Sequence, residues 1–225
     1  MKIDFDSRLL DISFEIYALE DHLLLIEEQM ENMRNTENNK LKKLIKNDDL
    51  TPDDPEWHFA NQEFNHRFEF LLPRVFRGPF IVTLYAIYEI AVTEIARLIQ
   101  TTKCKSTSFS EFKGKNFLDR SKKYYKSILQ FELCSDNKEW ERIIMLAELR
   151  HALAHANGRL EMLKVGNRKN IKRMTKQAIG IEEFNGYLVF SAEFTKETFC
   201  MVRLSLEELI RRYKEWDSEQ KTSQP

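Results

Sequence analysis

Residues 143–158 read IIMLAELRHALAHANG. From Ile143 to Ala156 most residues are Ile, Leu, Met or Ala. That predicts a helix that is apolar nearly all round, and such a helix belongs in a core. Into its last turns the sequence sets Arg150, His151 and His155, with Asn157 just beyond. Buried arginine and histidine are costly unless paired or used, so this run carries a site or lines an interface. At about 100° per residue, Glu148, His151 and His155 share one stripe, and Arg150 and Asn157 share another. Arg150 and His155 lie about 140° apart. Their convergence on one phosphate requires the reach of the forked arginine, or a second copy of the helix across a dimer axis. Gly158 reads as the helix C-terminus. Ser135 or Asp136 reads as its start, with Asp136-x-x-Glu139 as a capping box.

Outward from this run the chain is organised as helices. Phe5, Leu9, Ile12, Ile16, Leu19, Leu23, Ile26, Met30 and Met33 keep 4-3 spacing. This is a heptad-like seam along roughly 43 Å of helix. The seam either packs within its own domain or joins another chain. Residues 35–55 are polar, with two prolines, and read as a helix end and loop. Trp57 to Leu72 reads as a short amphipathic helix stopped by Pro73. A long helix is expected from Arg74 or Pro79 to Gln100. On it Ile81, Leu84, Tyr88, Ala91, Ile95 and Leu98 form one stripe, and Val82, Tyr85, Glu89, Val92 and Ala96 the next. Glu89 is then a carboxylate on an apolar stripe and wants a partner; otherwise it sits at the rim of the core.

Residues 101–112 read as a loop, and Phe117–Phe131 as a helix with Leu118, Tyr125, Ile128 and Leu129 inward. After Ala178 the pattern changes. Asn185-Gly186 between Ile181–Phe184 and Tyr187–Phe190 is a hairpin signal. A third strand is expected in Thr198–Val202. Ser205-Leu-Glu-Glu208 reads as a capping box opening a last helix to Trp216. From Ser218 the tail reads as disordered.

Composition narrows the class. In 225 residues, 42% are hydrophobic and the formal net charge is −1, so overall charge points to no partner. Six glycines and five prolines favour long helices. Cys104, Cys134 and Cys200 are isolated and odd in number, which fits a reduced, cytoplasmic protein without a Cys-x-x-Cys site. The start is too acidic and polar for a signal peptide, and no unbroken run of about 18 apolar residues suggests a membrane span.

Neutrality hides two basic segments. Lys103 to Lys126 holds eight lysines and arginines against Glu111 and Asp119. Arg159 to Lys176 holds Arg159, Lys164, Arg168, Lys169, Lys172, Arg173 and Lys176 against Glu161. Each is either a solvated face or, in the second case, a basic loop leaving the candidate site where a phosphate backbone could be held.

The run Arg150-His151-Ala152-Leu153-Ala154-His155, followed by Asn157-Gly158, resembles the HEPN superfamily of nucleotide-binding and ribonuclease domains. The likeness is to stand-alone prokaryotic members of defence and toxin–antitoxin loci, and it covers roughly residues 74–215. It does not cover the first 73 residues, and it implies a mainly α, HEPN-like helical bundle; with the long N-terminal helix and the small hairpin before the C-terminal helix read from spacing above, four or more helices are expected. The domains expected are a 1–73 helical extension, a 74–217 HEPN-like domain and a 218–225 tail. It implies a Glu89–Arg150 pair. It also implies a homodimer in which two motifs meet, and RNA products ending in 2′,3′-cyclic phosphate and 5′-OH. The catalytic residues are then Arg150 and His155, supported by His151, Asn157, Glu148 and Glu89, with no metal or cofactor. Weak RNA contacts are assigned to Arg159, Lys164, Arg168, Lys169, Lys172 and Arg173. An antitoxin or defence-system partner is expected, and no membrane.

Other chemistries fit less well. His151-x-x-x-His155 is a possible zinc pair, but Ala152 stands where a metalloprotease needs Glu, and His58 or His66 would have to come from elsewhere. No phosphate-binding glycine loop and no serine elbow appear. A non-catalytic module binding RNA, a nucleotide or a protein partner remains the alternative.

Overall fold

The computed structural model describes residues 7–47, 51, 53–134 and 136–222. It is mainly α with one two-stranded antiparallel sheet, as the sequence predicts. The chain divides into two compact units, each built of separated segments. Unit 1 comprises Met1–Leu19, Thr83–Glu148 and Glu197–Pro225; unit 2 comprises Glu20–Val82 and Leu149–Lys196. The boundary expected at residue 73 falls inside unit 2, within a continuous helical run.

Helix α1 spans Ser7–Asn47. Its seam residues Leu9, Ile12, Ile16, Leu19, Leu23, Ile26 and Met30 are all buried within the single chain, so the seam packs on its own protein. Phe5 lies outside the described residues. The helix runs well past its expected end. Asn35 and Lys40 bond back to Glu31 and forward-facing Glu37 across single turns, the spacing that sustains exposed helix.

Helix α2 (Pro55–Asn65) leads through a π turn at His66–Leu71 into α3 (Leu72–Thr102). Pro73 does not stop the helix. It removes one donor from the ladder, and just before it the widened turn carries the bonding, with Leu72 N–H reaching back to Arg67 C=O. The Pro55–Thr102 run is long and apolar enough, by length and composition, to cross a membrane, as the core helix of a soluble protein also can be; 44% of its most apolar 18-residue window is buried inside the chain.

In unit 1, Leu84, Tyr85, Tyr88, Ala91, Val92, Ile95, Ala96, Leu98 and Ile99 of α3 are buried. Helix α4 (Phe117–Tyr124) and the π turn Tyr125–Leu129 turn Leu118, Tyr124, Tyr125 and Leu129 inward. The Tyr125 hydroxyl donates to Val92 C=O at 2.6 Å. Gln130, in the left-handed region, ends the helix. The following backbone is held by Arg212, whose guanidinium donates to the carbonyls of Glu132 and Leu133. Burial, aided by the nearby Glu139 carboxylate, pushes the Cys134 thiol up to about 11. Alkylation of Cys134 at pH 8 is therefore expected to lag far behind that of exposed Cys104, and to accelerate about tenfold per pH unit toward pH 11. Mass-spectrometric footprinting checks this; equal labelling of both at pH 8 contradicts it.

In unit 2, strands β1 (Ile181–Phe184) and β2 (Tyr187–Phe190) pair antiparallel, with Ile181 opposite Phe190. Asn185 and Gly186 both have positive φ, as the tight hairpin turn requires. The motif helix α5 spans Asn137–Ala156, and the basic segment after it, expected as a loop, is helical: a 3-10 turn at Leu160–Met162 and helix α6 over Val165–Gln177. Its one buried residue, Ile171, anchors it. Arg77 ties this unit together. Its fork takes both oxygens of Glu27, at 2.8 and 2.6 Å, and it donates to Phe190 C=O at 2.9 Å. With the pair only partly exposed, Arg77→Ala is expected to destabilise by about 1–3 kcal/mol. Urea denaturation measures it, and a midpoint unchanged from wild type would count against this role.

Helix α7 spans Ala192–Thr222. This overturns three expectations. Thr198–Val202 is helix rather than strand, Ser205 is interior rather than a cap, and residues 218–222 are helical. The cap is Ser191, whose hydroxyl accepts from Phe194 N–H at 3.1 Å. Thr195 and Thr198 are buried, and Thr195 bonds the Ser191 carbonyl; this is how β-branched polar residues sit inside a helix.

Candidate functional site

The site is built on the last turns of α5. Its first turn is capped as expected: the Asp136 carboxylate accepts from Lys138 N–H at 2.8 Å. Ser135 lies outside the described residues. Ile143, Leu146, Leu149, Ala152 and Leu153 are buried along one side. The helix is not enclosed all round, however. Ile144 is 40% exposed, Arg150 and His151 are half-buried, and Ala154 and His155 are exposed. The cost of burying cation and imidazole therefore does not arise.

The helix ends in two consecutive left-handed residues, Asn157 at φ 47° and Gly158 at φ 72°. Asparagine tolerates this region and glycine adopts it freely. Gly158 N–H reaches back to Ala152 C=O at 3.1 Å. A Cβ at Gly158 would meet Leu153 and Leu188 only at ordinary contact distance, so the positive φ is what favours glycine there.

The rings of His151 and His155 lie 4.6 Å apart, centre to centre. Their i, i+4 spacing brings them together as the sequence stripe predicts. Among the described residues, Glu148, Arg150, His155 and Asn157 form no side-chain hydrogen bond or ion pair. Glu148 is half-buried on α5. Glu89 is half-buried on α3, in unit 1. Arg150, His151, His155 and Asn157 all belong to unit 2.

Among the described residues, no third metal ligand joins the two histidines. His58 packs against Trp57 and His66 against Phe70. Among the described residues, no group of three His, Cys, Asp or Glu is placed to hold a metal.

The hairpin is folded back onto the end of α5. Leu188 N–H donates to Gly158 C=O at 2.9 Å, and Leu160 N–H to Gly186 C=O at 2.8 Å. An isolated bridge pairs Arg159 with Tyr187. Arg159 lies over the Tyr187 ring, 5.8 Å from its centre, and Arg74 of α3 lies over the same ring at 4.5 Å. Sequence reasoning missed Arg74 and Tyr187. Alternation within a hairpin reports which residues share a face, not which distant side chain will stack there.

The basic residues after the motif divide by use. Arg168 turns inward and donates to the carbonyls of Leu160, Glu161 and Leu163; it braces the 3-10 turn. Lys172 pairs with Glu183 at 3.2 Å, and Arg159 pairs with Glu161. Lys164, Lys169 and Arg173 are exposed on α6. On another side of unit 2, a groove of about 380 Å³ is lined by Glu27, Glu31, Glu69, Glu182 and Glu193 with Arg34 and Arg77. Its acidic balance disfavours a phosphate there. Compared with protein-family models, with curated proteins and with solved structures, the chain matches none.

Proposed function

We propose that this protein is a metal-independent endoribonuclease of HEPN type, acting in the cytoplasm as a toxin or antiviral-defence effector. One observation carries the reading. A forked cation, two adjacent imidazoles and an amide occupy the last turns of α5 and the residue after it, and among the described residues Arg150 and His155 make no side-chain hydrogen bond or ion pair.

The chemistry asks for little more. An imidazole titrates near neutral pH and serves as base. His155 takes the proton of a ribose 2′-OH, whose oxygen attacks the adjacent phosphorus. The P–O2′ bond forms and the P–O5′ bond breaks. Arg150 holds the non-bridging oxygens, which its fork matches. A proton delivered to the 5′-oxygen, from His151 or the second copy of the motif, completes the step. The products are a 2′,3′-cyclic phosphate and a 5′-OH. Because Arg150 and His155 point away from each other on one helix, we assign the complete site to a homodimer. A neutralising antitoxin or a trigger is expected, since free activity would harm the host.

The non-catalytic alternative, a module that binds RNA, a nucleotide or a protein partner, is favoured by Phe14 and Tyr17 of α1. Both are large apolar residues more than half exposed. Incubation of the purified protein with total tRNA and mRNA in EDTA, with analysis of the product ends, separates the two. Cleavage to cyclic phosphates supports the nuclease; intact RNA with a folded dimeric protein favours the binding module.

A further inference from the structure

Arg74 is an unusual arginine. Its guanidinium lies 4.5 Å from the centre of the Tyr187 ring and 5.3 Å from that of Phe70. Among the described residues it faces no carboxylate and donates no hydrogen bond, and its Nε is buried without a partner. The terminal nitrogens of the fork are thus oriented by two aromatic rings and left unspent. Stacking of this kind fixes a guanidinium without neutralising it, which is the state an anion site needs.

Its place is also defined. One turn further along α3, a Cβ at Gly78 would lie 3.4 Å from a methyl group of Leu153 on α5, and a Cβ at Gly158 would lie as close to that same methyl. Arg159, next to Gly158, shares the Tyr187 ring with Arg74. Both cations therefore lie against one ring in unit 2, and Arg159 directly follows the turn that ends the motif helix. Arg159 is already paired with Glu161, but that pair is exposed, and an exposed pair exchanges readily for a phosphate.

We propose that Arg74 and Arg159, gathered on the ring of Tyr187, form a clamp for a phosphodiester of single-stranded RNA flanking the bond to be cut. The inference rests on the ribonuclease reading for its substrate. In-line attack by a 2′-OH requires a strand free to rotate, and a phosphate held beside the end of the motif helix would supply the orientation. With Arg74 stacked on Tyr187, the clamp grips phosphate and does not read bases.

The test uses full-length His155→Ala, so that the strand stays intact, and a fluorescein-labelled 20-nucleotide single-stranded RNA. Binding is followed by anisotropy across a salt series. Adding Arg74→Gln is expected to weaken binding about tenfold, as for one lost charge-assisted hydrogen bond. It should also make the salt slope shallower by about 0.7. Arg74→Lys should keep the slope and lose affinity. Arg211→Gln, which disrupts a surface pairing with Glu208 and Glu215 in unit 1, should change neither. If Arg74→Gln lowers the melting temperature, exposed Arg159→Gln carries the same expectation. An unchanged affinity and slope in a folded variant, or a parent that binds no RNA, overturns the clamp. Unchanged slopes with wild-type cleavage intact would overturn the clamp alone. Slopes that respond while wild type cuts nothing would support the clamp and remove the nuclease.

Discussion

His155→Ala is expected to lower metal-free RNA cleavage by about 10²–10⁴-fold, the usual contribution of a positioned general base. The side chain is exposed and makes no hydrogen bond among the described residues. Its removal should therefore leave the free energy of unfolding within about half a kcal/mol of wild type. Arg150→Ala should fall as far or further, because the phosphate charge that develops in the transition state loses its cation. Arg150→Lys should recover only part of that loss, since an ammonium cannot grip two oxygens at once. His151→Ala should be the mildest of the set if it positions substrate. Initial rates in EDTA on a defined RNA measure all four. Cleavage at the wild-type rate in both His155→Ala and Arg150→Ala would place the site elsewhere, and cleavage abolished by EDTA would point to a metal.

The second large effect is on the other side of the same helix. Leu149 is completely buried, and Leu149→Ala is expected to destabilise the protein by about 2–5 kcal/mol. A typical domain has only about 5–15 kcal/mol to lose, so the urea midpoint should drop steeply. Below that midpoint the variant should still cut RNA at a rate close to wild type, because Leu149 touches none of the reacting groups. A loss smaller than about 1 kcal/mol would show that the site relaxes around the missing side chain and does not anchor the helix. Together the two variants separate the duties of α5: Leu149 and Leu153 hold it down, while Arg150 and His155 face outward.

That division was only partly legible. The apolar spacing from Ile143 to Leu153 is a local pattern, and it located the helix. Asp136, Asn157 and Gly158 are punctuation with a steric cause, and they bounded it closely. Yet the same apolar richness predicted a helix buried all round, whereas Ile144 and Ala154 face out. Hydrophobicity alone does not say how many neighbours a helix will have. Helix α7 was misread for a related reason. The β-branched and aromatic residues of Thr198–Val202 resemble a strand, and packing overrode that propensity. Lys and Arg in the 159–176 segment read as a loop, but Ile171 alone was enough to seat a helix.

By itself, then, the sequence determined the mainly helical class, the seam of α1, the Asn185-Gly186 hairpin and the meeting of His151 with His155. Each depends on residues a few positions apart, whose geometry is set by backbone periodicity and turn sterics. Only the tertiary structure decided that the α1 seam is covered within one chain, that Arg168 is consumed by backbone carbonyls, and that Arg74 and Arg159 share the ring of Tyr187. Those outcomes join residues far apart in the chain. No local propensity specifies them, because they are selected by which buried faces fit together and which charges are left over once they do.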